Sequence, residues 1–142
     1  MNVSRILSIK GRRVETIRPE ASLADAIDLL SAKGIGAVVV TDTNGTVCGI
    51  LSERDIVRAL ARHRDALSSR CAQHMTAHVV TCTPDMMIGE VMEEMTRGRF
   101  RHMPVIEHGK LIGIVSIGDV VKHRLEDIEA ESRAMRDYIA TA

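Results

Sequence analysis

Gly49-Ile50-Leu51-Ser52-Glu53-Arg54-Asp55 and Gly113-Ile114-Val115-Ser116-Ile117-Gly118-Asp119 agree at four of seven positions and lie 64 residues apart. Each reads as an apolar strand that ends in serine and passes straight into a helix. Upstream of each lies a β-branched run, Ala37-Val38-Val39-Val40-Thr41 in one and Met103-Pro104-Val105-Ile106 in the other. Turn residues, Asp42-Thr43-Asn44-Gly45 and Glu107-His108-Gly109-Lys110, join these runs to the returning strands Val47 to Leu51 and Leu111 to Val115. Apolar runs separated by short glycine-containing turns predict two β-hairpins. Farther upstream, Leu23, Ala26, Ile27 and Leu30 are spaced like Ile88, Val91, Met92 and Met95, each series predicting a helix with one buried face. Ser22 is placed to cap the first of these helices. Short strands around Val14 to Ile17 and Val79 to Cys82 complete two units of strand, helix, strand, strand, helix.

Two units of about 60 residues, each burying only about 60% of its unfolded surface, are poorly self-sufficient. They are therefore expected to pack through their sheets into one pseudo-symmetric α/β (α+β) module. The chain divides into an N-terminal helical segment (1–13), a first repeat (14–66), a linker with a short helix (67–78), a second repeat (79–125) and a C-terminal helix (126–142). Ile128, Met135 and Ile139 are spread along that last helix, which has either the module or a partner to dock on.

The composition narrows the function classes. The 142 residues carry 19 Lys plus Arg against 19 Asp plus Glu, and 45% are apolar. This is a folded composition, without an apolar run long enough for a membrane span or a secretory signal, so the expected compartment is the cytoplasm. Neutrality and a lack of aromatics beyond Phe100 and Tyr138 argue against nucleic acid. Cys48, Cys71 and Cys82 lack disulfide or zinc spacing and are expected to be inert, while Met86, Met87, Met92 and Met95 read as core filling. The histidines lack zinc-enzyme spacing; His74 and His78 are four apart, but they flank an expected helix end. No metal site is expected, and no set of paired carboxylates, activated nucleophile or glycine-rich phosphate loop points to an enzyme.

The repeated Ser-x-x-Asp supports two readings. In one it is a capping box, the serine accepting from a backbone N–H and the acid reaching back. In the other, free N–H groups at the helix start, with the hydroxyl beside them, suit a phosphate, and the Asp carboxylate suits a ribose diol. A nucleotide is then a sensible ligand.

Two such units, the repeated G-h-x-S-x-x-D pattern and Arg101-His102-Met103-Pro104-Val105 resemble a tandem cystathionine-β-synthase-type (CBS) domain pair, the Bateman module, here a stand-alone protein of prokaryotic type. The resemblance covers about Val14 to Leu125. It implies a non-catalytic regulatory module that binds adenosine-containing ligands (AMP, ADP, ATP, S-adenosylmethionine or NAD(H)) in clefts between the repeats, pairs as a homodimer and signals to an effector protein. In the second-repeat site it implies Asp119 on the ribose, with Ser116 near ribose or phosphate. Val80, Thr81, Met103 and Ile114 would line the adenine pocket, and Arg101 and His102, just before Pro104, would meet phosphate. Ser52 and Arg54 would reach in from the first repeat. The first-repeat site would use Asp55, Ser52, Thr16, Ile17, Ile35, Ala37 and Ile50, with Ser116 reaching back. Because Gly36-Ala37 stand where the second repeat has Arg101-His102, one strong and one weak site are expected. The competing function is a dimerisation scaffold without ligand. For Arg54 the competing role is a surface ion pair with Glu53 or Asp55, and for Arg58, Arg62 and Arg64 it is a solvated helix face.

Overall fold

The computed structural model describes residues 1–141 and contains both hairpins. The chain opens with α1 (Val3–Lys10), then β1 (Thr16–Ile17) and α2 (Leu23–Lys33). The first hairpin is β2 (Ala37–Thr41) and β3 (Val47–Ser52), and β3 runs without a break into α3 (Glu53–Arg62). Two short 3-10 turns, Ala66–Ser68 and Cys71–Gln73, link it to α4 (Ile88–Gly98). The second hairpin, β4 (His102–Glu107) and β5 (Lys110–Ser116), runs into α5 (Ile117–Thr141). α5 is continuous across residues 125 and 126, so the expected C-terminal helix is an extension of the second repeat's last helix; its final residue, Ala142, lies outside the described residues.

Local chemistry fixes the element ends. Ser22 accepts a hydrogen bond from the Asp25 N–H at 3.0 Å, and Gly34, at φ 63°, closes α2 in the left-handed conformation. In the second hairpin, His108 and Gly109 carry φ values of 51° and 76°, the two-residue turn whose twist suits paired strands. The longer first turn is held by the Asp42 carboxylate, which accepts from the backbone N–H groups of Asn44 and Thr46.

The first strand of the second repeat is a correction. In the first repeat, Thr16 and Ile17 pair in parallel with Val39 and Val40, and the Val39 N–H donates to the Glu15 carbonyl. At the position of Val39 the second repeat has Pro104, which has no N–H to give to Val80. Pairing there shrinks to a single bridge: the Cys82 N–H donates to the Pro104 carbonyl, and its carbonyl accepts from Ile106. The expected strand Val79 to Cys82 is thus loop up to Cys82, and the sheet has two strands instead of three. The expected strand Val14 to Ile17 is reduced to Thr16–Ile17.

Each repeat builds its own core, but not from its own residues alone. Leu23, Ala26, Leu30, Val38, Val40, Leu51, Ile56, Ala59 and Ala66 form the first core, closed by Cys71 from the linker, with Met75 packed against it. The second contains Val91, Met95, Met103, Val105, Val115 and Val120, and is closed by Val3, Ile6 and Leu7 of α1. Each fully buried Val, Leu, Ile or Met side chain among these contributes about 1.5–3 kcal/mol. The leading segments are therefore exchanged, α1 packing on the second repeat and the linker on the first. Both close approaches fall on equivalent glycines. A Cβ on Gly49 would lie 2.6 Å from Met75 Sδ, and one on Gly113 would lie 2.8 Å from Leu7 Cδ2.

The sheets are covered on their other faces too. Ala37, Val39 and Pro104 are buried although they alternate with the core-facing residues of their strands. Gly36, just before β2, lies against His102 at the start of β4, and the two hairpin turns line one open hollow of about 250 Å³. The sheets thus face each other along their length.

Candidate functional site

Both Ser-x-x-Asp sequences fold as capping boxes. In the first repeat the Asp55 N–H donates to Ser52 Oγ at 3.3 Å, while Asp55 Oδ2 accepts from the Ser52 N–H at 2.9 Å and from its hydroxyl at 3.0 Å. In the second, Asp119 N–H donates to Ser116 Oγ at 3.1 Å and Asp119 Oδ2 accepts from the Ser116 N–H at 2.9 Å. The capping reading therefore holds at both junctions, and it leaves the ligand reading to be decided by what surrounds each carboxylate.

Those surroundings differ. Lys10 Nζ, at the end of α1, donates to Asp119 Oδ2 at 2.7 Å and to the Ile114 carbonyl at 3.1 Å. Burial raises the Asp119 carboxyl, but the Lys10 hydrogen bond, the Ser116 N–H and the lysine charge outweigh it and hold the group below the ordinary aspartate range. Asp119 Oδ1 accepts no hydrogen bond among the described residues. Asp55 has no cation within ion-pair distance there, and at the place of Lys10 the Ile50 edge is closed by backbone, Thr76 and Ile50 exchanging N–H···O bonds of 2.9 and 3.0 Å.

His102 ties the two repeats together. It stands opposite Ser116 in the β4–β5 register, and its ring lies against Gly36 beside Glu53, the first residue of α3. Burial pushes the imidazole below its ordinary value, against the pull of Glu53 and Asp119 and with the push of Lys10 and Arg101. Lys10, Arg101, His102, Asp119 and Glu53 thus form one electrostatic cluster across the repeat boundary. A Cβ on Gly36 would touch the His102 ring at 3.5 Å and Glu53 Oε1 at 3.4 Å, both ordinary contact distances.

The remaining expected residues fall into groups. Ile114 pairs with Pro104, on the same strand face as His102 and Ser116. Met103 corrects the expectation for its side chain: it is wholly buried in the second core, so only its backbone faces outward. Val80 and Thr81 lie exposed in the loop, and Thr81 lines the hollow between the hairpin turns together with Val79 and Ala77. Arg54 is exposed and makes no ion pair with Glu53 or Asp55. In the first repeat, Ala37 stands opposite Ser52 and Val39 opposite Ile50, Thr16 is exposed, and Ile17 and Ile35 pack against the first core. Phe100 lies over Gly98 and packs on the second core. Burial pushes the Cys82 thiol up to about 12, and that of Cys71 upward too, as expected of inert cysteines.

Lys10 escaped the sequence reading. Its only signal there is a place in the basic run Lys10, Arg12, Arg13, which says nothing of a contact 109 residues away.

The CBS domain family model matches residues 6–62 and 71–126. The chain belongs to the CBS domain family. The first match begins inside α1, although the buried side chains of that helix serve the second CBS repeat. A CBS-domain containing protein from Agrobacterium tumefaciens is 48% identical and superimposes with a TM-score of 0.84 over 87% of this chain and 92% of that one. An uncharacterized 17.7 kDa protein of Acidianus ambivalens is 35% identical over 87% of this chain and 74% of its own length. A CBS domain protein from Pyrobaculum aerophilum, whose structure is complexed with AMP, is 25% identical with a TM-score of 0.76, over 84% of this chain and 89% of that one.

Proposed function

We propose that this chain is a non-catalytic regulatory module that senses an adenosine-containing ligand, AMP or a related nucleotide such as ADP, ATP or NAD(H), at the second-repeat site. The observation that carries this reading is the cluster at Asp119: a carboxylate with one free oxygen, a helix start behind it, and Lys10, Arg101 and His102 around it. A ribose diol donates to a carboxylate, and phosphate suits cations at a helix start. The AMP held by the Pyrobaculum relative supports the same class of ligand. Asp119 would take the ribose and Ser116 the adjoining oxygens. Arg101, His102, Lys10 and, from the first repeat, Ser52 and Arg54 would face phosphate, with Val80, Thr81, Pro104 and Ile114 beside adenine. Occupancy would then be read by an effector protein through the geometry of a homodimer, by as much as the ligand's affinities for the two geometries differ.

The completed capping boxes favour one other reading, a scaffold in which Ser52, Asp55, Ser116 and Asp119 serve only their helices. A thermal-shift series with AMP, ADP, ATP, NAD, NADH and S-adenosylmethionine separates the two. A ligand at 100 times its Kd adds about 2.7 kcal/mol to the native state and raises the melting temperature, whereas a scaffold melts unchanged with all six.

A further inference from the structure

α5 has two faces. Val120 and His123 are buried against the module, whereas Val121, Leu125, Ile128, Met135 and Ile139 are exposed, Ile139 at 67%. With Ser132, these five follow one another at intervals of four, three, four, three and four residues, the a and d spacing of a heptad with Leu125 at a. In that register Lys122, Glu129 and Arg136 occupy e, and Arg124 and Glu131 occupy g.

The flanking charges choose an occupant and a direction. In two parallel, in-register copies of this helix, each g residue meets the e residue five positions on in the other copy. Arg124 then meets Glu129 and Glu131 meets Arg136, all opposite charges and each pair occurring twice. An antiparallel pair that runs the whole stripe, Val121 facing Ile139, sets Glu129 beside Glu129, Glu131 beside Glu131 and Lys122 beside Arg136, all like charges, and sliding it by a heptad relieves them only by leaving part of the stripe unpaired. None of Arg124, Glu129, Glu131 or Arg136 is in an ion pair among the described residues, so each is available.

We propose that α5 is a self-association element, pairing with α5 of a second copy as a parallel two-stranded coiled coil along Leu125, Ile128, Met135 and Ile139. Two heptads are too few to hold free peptides together, since a short isolated helix is marginal in water. Here the helix is already nucleated, because Val120 and His123 dock on the module and the amino terminus pairs with Asp127 at 3.3 Å. Pre-ordering removes most of the conformational loss that pairing would otherwise carry.

A single cysteine reads the geometry directly. With Cys48 replaced (Cys48→Ser), Ile139→Cys places two thiols side by side in the parallel pair. In the antiparallel pair position 139 faces position 121, leaving the two thiols about 27 Å apart at about 1.5 Å per residue. Mild oxidation is expected to give a disulfide-linked dimer as the main product. No cross-link above the Cys48→Ser background, or a cross-link only when Val121→Cys and Ile139→Cys chains are mixed, overturns the proposal. In sedimentation equilibrium, Arg124→Glu is expected to weaken association roughly tenfold, and adding Glu129→Arg to the same chain to restore it. Failure of either step also overturns it, with circular dichroism confirming that these surface variants remain folded.

Discussion

The two strand-to-helix junctions start from the same four residues and fold into the same capping box, yet only one of the two aspartates is paired with a cation from elsewhere. At Asp55 the box is closed on itself, and the adjoining strand edge is sealed by the backbone of Thr76. At Asp119 a lysine from the far end of the chain takes the corresponding place, with His102 and Arg101 beside it. The motif thus specifies the helix start, and residues outside the motif specify what the helix start can bind. Repetition in sequence says less about two sites than the break in the repetition does.

The comparison is most severely strained at the glycines. Gly49→Ala would push a methyl to 2.7 Å from the Thr76 carbonyl as well as against Met75, and backbone does not yield. A cost of about 1–3 kcal/mol is expected, against a smaller one for Gly113→Ala, where only the flexible end of Leu7 must move. Equal denaturant midpoints for the two variants would mean that the exchanged segments are held equally loosely.

Next in size is the carboxylate pair. Asp119→Ala is expected to weaken AMP binding by an order of magnitude or more, about 1.4 kcal/mol at the least, and Asp55→Ala to do less. Both remove the carboxylate half of a capping box and leave the serine cap in place, and Asp119→Ala also breaks the Lys10 ion pair, so calorimetry on the folded variants, and not their melting, reports the ligand. Two equal, independent sites in the wild-type titration would break the asymmetry.

A smaller effect is expected from acid. Because the folded Asp119 carboxyl lies below its ordinary value, its stabilising contribution is complete above about pH 4 and is lost as the pH falls through the folded value. Lys10→Met removes one cause of the depression, and should flatten the dependence of the urea midpoint on pH below about 4. A curve unchanged by the substitution would detach Lys10 from the site. Smallest of all, bound phosphate should raise the His102 titration in NMR from its depressed value toward the ordinary one; no movement on adding AMP would remove His102 from the phosphate contacts.

Much of this architecture was legible in local sequence, because hairpins, caps and helix faces depend on spacings of two to seven residues. Ser22 caps α2, His108-Gly109 makes its turn, and Ser116 with Asp119 closes its box, each as the spacing predicts. What escaped were contacts set by the other repeat or by a missing group. Pro104 cannot feed a ladder that Val39 can, so a strand expected at Val79 to Cys82 dissolves up to Cys82. The Met103 side chain turns into the core since alternation puts Pro104 on the other face. Lys10 reaches Asp119 only because α1 crosses to the second repeat, a decision made by Val3, Ile6 and Leu7 finding their core there.

That crossing determines how the molecule comes apart. A cut in the exposed stretch between α3 and the linker turns, for instance after Arg64, would yield two fragments that each carry a piece of the other's interior. Such a nicked protein should stay joined and melt in a single step, as two interlocked hands would. Fragments expressed separately from that boundary should find each other before either is fully folded.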